Sequence, residues 1–106
     1  MSRFRFEEER DGALALGEDQ KTKRPKRWKV LLHNDDYTTT DFVVDILIRF
    51  FHKPPAEATA IMLQVHHRGV GVAGIYPRDI AETKIRDVTL EAREQGMPLL
   101  LTLEQE

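Results

Sequence analysis

At 106 residues with a net charge of −2, the chain has room for one small domain and an extension, and its charge gives it no general attraction for nucleic acid. It holds no cysteine, which excludes disulfides and thiolate metal sites. No stretch reaches the ~18 apolar residues of a membrane-spanning helix, and Met1 to Glu7 has no apolar signal core, so a cytoplasmic protein is expected.

Residues 1–26 join an acidic part, with Glu7, Glu8, Glu9, Asp11, Glu18 and Asp19, to a basic part that begins at Lys21. Gly12, Gly17 and Pro25 are interspersed. This composition reads as a disordered, unpacked N-terminal extension, and residues 27–106 as the folded domain.

Trp28 to His33 is short, apolar and bounded by turn residues, and reads as a buried strand. Asn34-Asp35-Asp36 supplies turn chemistry, because these side chains bond the local backbone. Thr38, Thr39 or Thr40 can cap the next helix, and Thr38 with Asp41 has capping-box spacing. From Phe42 to Phe51 apolar residues point in nearly every direction, which predicts a helix buried on more than one side. His52-Lys53-Pro54-Pro55 breaks it.

A second helix runs from about Ala56 to His67, opened by Pro55 and closed by Arg68-Gly69. Val70 to Tyr76 alternates and reads as a strand whose glycines weaken it or admit a neighbouring backbone. Pro77 to Gln95 is a third helix with one narrow apolar stripe, Ala81, Ile85, Val88 and Ala92, and charge on its other faces. Gly96 stops it, and Pro98 to Leu103 is the last strand. A right-handed β-α-β crossover makes its two strands parallel, and the first strand fits between them, antiparallel to both. The expected fold is α/β: a small single-domain open-faced sandwich, β-α-α-β-α-β, with a three-stranded antiparallel sheet and three helices.

Several chemistries compete for the polar residues. Asn34, Asp35 and Asp36 exceed what one turn requires, and so many acceptors on one rim suit a ligand made of donors. Paired carboxylates serve glycosidases, but adjacent turn residues do not face each other across a substrate and no third catalytic group is near. No enzyme activity is therefore expected. His66 and His67 are sequence neighbours, lack the i, i+4 spacing of helical metal sites, and give no metal site. The basic run Lys21 to Lys29 has one interleaved aromatic, Trp28, and reads as a solvated charge run rather than a nucleic-acid grip. Met62, Val65 and His66 share a helix face. A polar ring on an apolar face needs a partner, which a cavity lined by Val43, Met62 and Val65, with His66 and Asn34 at its mouth, would provide.

Asn34-Asp35-Asp36-Tyr37-Thr38, Phe42-Val43, Arg49-Phe50-Phe51, Ile61-Met62-Leu63, Val65-His66, Ala81-Glu82-Thr83-Lys84 and Pro98-Leu99 together resemble the ClpS adaptors, over about residues 28–104. The resemblance implies a non-enzymatic adaptor, without cofactor, that hands N-degron substrates to the ClpA or ClpC unfoldase of the Clp protease. It implies that Asn34, Asp35 and His66 hold the substrate's free α-amino group. Thr38, Thr40, Val43, Ile46, Met62, Val65 and Leu99 would shape a pocket for Leu, Phe, Tyr or Trp as first residue. Asp79, Glu82 and Lys84 would contact the N-terminal domain of the unfoldase. Many family members carry Pro-Met where this chain has Thr39-Thr40; the Met gates against β-branched side chains, and Thr40 is expected to relax that gate. Nothing in the chain calls for more than a monomer, for a membrane or for nucleic acid. The competing reading, a protein-interaction domain of similar fold without a ligand pocket, has no need of Asn34, Asp35 and His66 around an apolar cavity.

Overall fold

The computed structural model describes residues 24–106. The expected extension, residues 1–26, lies outside the described residues up to position 23; Arg24 to Lys26 are exposed and precede the first strand. Six elements follow in the order β1 (Arg27–His33), α1 (Thr40–Arg49), α2 (Pro55–Arg68), β2 (Val70–Pro77), α3 (Arg78–Glu94) and β3 (Leu100–Gln105). The sheet order is β2-β1-β3, with β1 antiparallel to both neighbours, so the expected open-faced sandwich is the observed one.

The two-residue period of a strand separates the faces of the sheet. Val30 and Leu32 on β1 and Leu101 on β3 are buried against the helices, and their neighbours Leu31, His33 and Thr102 are half-buried on the other face. There His33 Nε2 and Thr102 Oγ1 lie 2.8 Å apart. The helices add Phe42, Val43, Ile46 and Leu47 from α1, Ala58 and Val65 from α2, and Ala81, Val88 and Ala92 from α3, and Phe51, Ala73 and Leu99 complete the core. All three helices therefore cover one face.

A bulge in β2 leaves Ala73 unmatched, since Val30 pairs with Gly74 and Leu31 with Val72. The glycine of β2 that admits a neighbour is Gly71: a Cβ there would stand 2.7 Å from Val65 Cγ2 and 3.5 Å from the Ile61 carbonyl. Its bare backbone is what lets α2 settle on the strand.

Several sequence expectations shift. Thr39 is the N-cap of α1, its hydroxyl accepting from the Phe42 amide at 3.1 Å, so the Thr38–Asp41 capping box does not form; Thr38 is already bonded to Asp35. The α1 helix starts earlier and ends at Arg49, and on its second apolar side Val44 is half-buried and Ile48 stays 36% exposed. The last strand begins two residues later than expected and runs to Gln105. Leu99 is drawn into the core before pairing begins, and the polar end, Glu104 and Gln105, completes the ladder opposite Lys29 and Trp28.

Candidate functional site

The turn after β1 is built by Asp35. Its Oδ1 accepts the Tyr37 and Thr38 amides at 2.8 and 2.7 Å, and its Oδ2 accepts the Thr38 hydroxyl at 2.7 Å. An aspartate satisfying amides two and three residues on is the usual way such a turn is locked. Partial burial works to raise the Asp35 carboxyl, but the bonds from Thr38 and Tyr37, with the nearby charge of Arg93, outweigh it and hold the group below the usual carboxylate range. The side chain is thus a fixed negative charge. A carboxylate offers about four acceptor sites, and the three local bonds leave Oδ2 one for a ligand.

Asn34 joins this turn to α2. Its amide donates to the Gly69 carbonyl at 2.9 Å, and the Gly69 amide donates to the Val65 carbonyl at 2.9 Å. Gly69 adopts φ +90°, the left-handed conformation that ends helices and suits glycine. Two backbone bonds therefore bring Asn34 and Asp35 to the helix end that carries Val65 and His66. Asn34 and His66 are exposed and Asp35 half-buried. The His66 and His67 rings meet edge-on, with centroids 5.2 Å apart.

Beneath this rim the expected pocket residues are graded in depth. Thr40 is exposed, Thr38 and Met62 are half-buried, and Val43, Val65, Ile46 and Leu99 are buried. Val43, Ile46, Val65 and Leu99 share one apolar core, with Met62 packed against it. Ile46 and Leu99, at 0% and 1% exposure, are the deepest of these residues, and Met62 is the half-buried one packed against their core. The Thr38 hydroxyl is engaged by Asp35, which leaves its methyl for apolar contact.

Asp79, Glu82 and Lys84 stand apart on α3. A concavity of about 300 Å³ is lined by Phe50, Asp79, Ile80, Thr83, Lys84 and Asp87. Glu82 lies outside it, paired with Arg78 at 2.9 Å. The Arg78 guanidinium in turn sits over the Trp28 ring at 4.5 Å. Lys84 has an internal duty: its Nζ donates to the Phe50 carbonyl at 2.7 Å and lies 5.5 Å from the Tyr76 ring centre. Ile80 is 45% exposed beside it, an apolar side chain on an otherwise charged face of α3. A separate hollow of about 750 Å³ lies at the far end of the sheet, where Arg27 and Glu106 pair at 2.7 Å; it contains none of the expected site residues.

Sequence reasoning missed Arg93 and Met97. Arg93 Nη1 donates to the Met97 and Leu99 carbonyls at 2.9 and 3.0 Å, and Met97 Sδ lies 4.0 Å from Thr39 Oγ1. The available signal was a basic residue in the last turn of a helix, ahead of a glycine, where Arg side chains bond terminal carbonyls.

Residues 23–102 match the family described as ATP-dependent Clp protease adaptor protein ClpS. The chain is 50% identical over 97 residues to an ATP-dependent Clp protease adapter protein ClpS of Lawsonia intracellularis, covering 92% of this chain and 89% of that one. It is 54% identical over 96 residues to the adapter of the same name from Deinococcus radiodurans, covering 91% and 85%. Among solved structures, Agrobacterium tumefaciens ClpS2 bound to L-phenylalaninamide superposes with a TM-score of 0.75 at 41% identity, covering 78% of this chain and all of the other.

Proposed function

The chain belongs to the ClpS family of ATP-dependent Clp protease adaptors, and from that premise we propose that it binds the free α-amino group and bulky apolar first residue of N-degron proteins and delivers them to a ClpA- or ClpC-type unfoldase. The observation that carries this reading is the backbone tie from Asn34 through Gly69 to Val65, which sets an acceptor-rich turn beside the apolar core at the end of α2. The solved relative holds L-phenylalaninamide, a free amine next to a benzyl group, and this supports the same division of labour here.

An ammonium has three donors and no acceptor. Asn34 through its amide oxygen, Asp35 through Oδ2 and His66 through a neutral ring nitrogen are the acceptors proposed for it. Each charge-assisted bond contributes ~1.5–3 kcal/mol, and burying a Leu or Phe side chain among Thr38, Val43, Ile46, Met62, Val65 and Leu99 adds ~1.5–3 kcal/mol. Association costs offset either half alone. The two together demand both a free N-terminus and an apolar first residue. Asp79 and Lys84 around Ile80, with Glu82 at the margin, are the surface proposed for the unfoldase's N-terminal domain, and residues 1–26 an extension outside the folded domain 27–106.

Fluorescence polarisation tests the reading with a peptide that begins with Phe, beside its N-acetylated twin. Tight binding of the free peptide and loss on acetylation are expected. Equal binding of the two removes the amine from recognition and ends the proposal.

A further inference from the structure

The loop between α3 and β3 is held in an unusual way. Gly96, at φ +76°, ends α3 with the paired bonds of a glycine cap: its amide donates to the Arg93 carbonyl at 3.0 Å and the Met97 amide to the Ala92 carbonyl at 2.8 Å. Pro98 then has no N–H to give, and pairing with β1 begins only at Leu100. Across this gap a single nitrogen of Arg93 donates to two carbonyls, Met97 at 2.9 Å and Leu99 at 3.0 Å.

We propose that Arg93 is a positioning residue of the peptide site: by bonding both carbonyls it sets where Leu99 stands beneath the pocket that receives the first side chain. The inference rests on the peptide-binding reading above. Leu99 is 1% exposed and shares its core with Val43, Ile46 and Val65, so a shift of its backbone changes the depth of that core. The same loop touches the amine end of the site, because Met97 Sδ lies 4.0 Å from the hydroxyl of Thr39, the residue after the Asp35–Thr38 turn. The charge of Arg93 also acts on Asp35 in the sense that keeps it ionised. One side chain thereby braces the loop that carries Leu99. A helix-capping arginine with a merely stabilising role would leave the ranking of first residues alone.

The test compares wild type, Arg93→Met and Arg93→Lys in polarisation titrations with peptides beginning Leu, Phe and Trp, and with the acetylated Phe peptide. For Arg93→Met the Phe peptide is expected to weaken about tenfold, as when charge-assisted bonds to a loop are lost, and the Leu:Phe:Trp ranking to change. Arg93→Lys, which keeps the charge and three donors on a side chain one bond shorter, is expected to recover part of the loss and the wild-type ranking. Should Arg93→Met prove unfolded by circular dichroism, Arg93→Gln takes its place in the same comparison. A folded variant with the wild-type ranking, or a uniform loss that merely tracks a lower melting temperature, overturns the proposal and leaves the peptide reading standing. Wild type that binds free and acetylated peptides alike overturns both.

Discussion

The Asn34 amide and the Gly69 carbonyl, 2.9 Å apart, make the turn after β1 and the C-terminal end of α2 a single unit. In the proposed site neither element suffices alone. The turn brings the acceptors of Asn34 and Asp35, with Tyr37 78% exposed beside them, and the helix end brings Val65 and His66 without a carboxylate. Their bond depends on Gly69 holding φ +90°.

Gly69→Ala isolates that dependence. A Cβ at Gly69 meets nothing within 4 Å, so the cost is conformational, about 1–2 kcal/mol for a left-handed L-residue. The urea midpoint is expected to fall, and binding of a Phe-initiated peptide to weaken as the Asn34 bond is strained. Unchanged stability with weakened binding, or the reverse, would show that the two elements are not coupled through this residue.

Asp35→Asn probes the locked turn through its pH dependence. The folded Asp35 carboxyl lies below its ordinary value, so its contribution to stability is complete above the unfolded pKa and disappears as pH falls through the folded one. The wild type is therefore expected to exceed Asp35→Asn in stability at neutral pH and to converge with it in acid. Melting temperatures of the two proteins from pH 7 down to the acid limit of folding check the sign; a gap that widens in acid would contradict it.

Much of this arrangement was readable from residue types. A short apolar run in Trp28 to His33 and alternation in Val70 to Tyr76, with glycines and prolines between the helices, set the element order, and the order left one economical sheet. Asn34 and Asp35 stood out because three polar-acidic residues in a row exceed what a turn requires, and His66 because it is a polar ring on an apolar helix face. What escaped was non-local. Arg93 is one charge among many on α3 until the loop beyond Gly96 folds back upon it. Lys84 reads as a surface charge, yet its ammonium bonds the Phe50 carbonyl, 34 residues away. The β3 boundary moved because burial of Leu99 depends on partners in α1 and α2, which spacing in the strand itself does not encode.

Thr40 opens α1 and is exposed, one turn ahead of buried Val43 on the same helix face, and in the proposed site it stands at the lip of the pocket. A small residue at this lip is expected to admit first residues branched at Cβ, Ile and Val, alongside Leu and Phe. Thr40→Met should restore their exclusion, lowering Ile and Val affinity by about tenfold through steric loss while Leu and Phe change little. Titrations of four peptides against both proteins decide it, and an unchanged ranking rejects the role of Thr40.

Lys84 and Asp79 separate stability from docking. Removing the Lys84 ammonium leaves the half-buried Phe50 carbonyl without its donor, so Lys84→Met is expected to cost about 1–3 kcal/mol of folding stability as well as unfoldase affinity. Asp79, whose carboxylate bonds only the adjacent Ile80 amide at 2.9 Å among the described contacts, should lose docking on Asp79→Ala with little change in melting temperature. Chemical denaturation and a pull-down with an isolated unfoldase N-terminal domain give the two readouts. Full docking by both variants would remove this face of α3 from the interface.

His66 is the third acceptor proposed for the substrate ammonium, and substitution separates it from its neighbours. Each of the three ammonium N–H groups needs an acceptor, so losing one charge-assisted bond is expected to weaken a Phe-initiated peptide by about tenfold. His33 lies on the opposite face of the sheet against Thr102, whereas His67 is close enough to matter, its ring 5.2 Å from that of His66. His66→Ala should show the loss, His66→Gln, which keeps an acceptor, should recover part of it, and His67→Gln should bind as the wild type does. Wild-type affinity in His66→Ala, or an equal loss in His67→Gln, would take His66 out of the amine site and leave Asn34 and Asp35 to hold the cation.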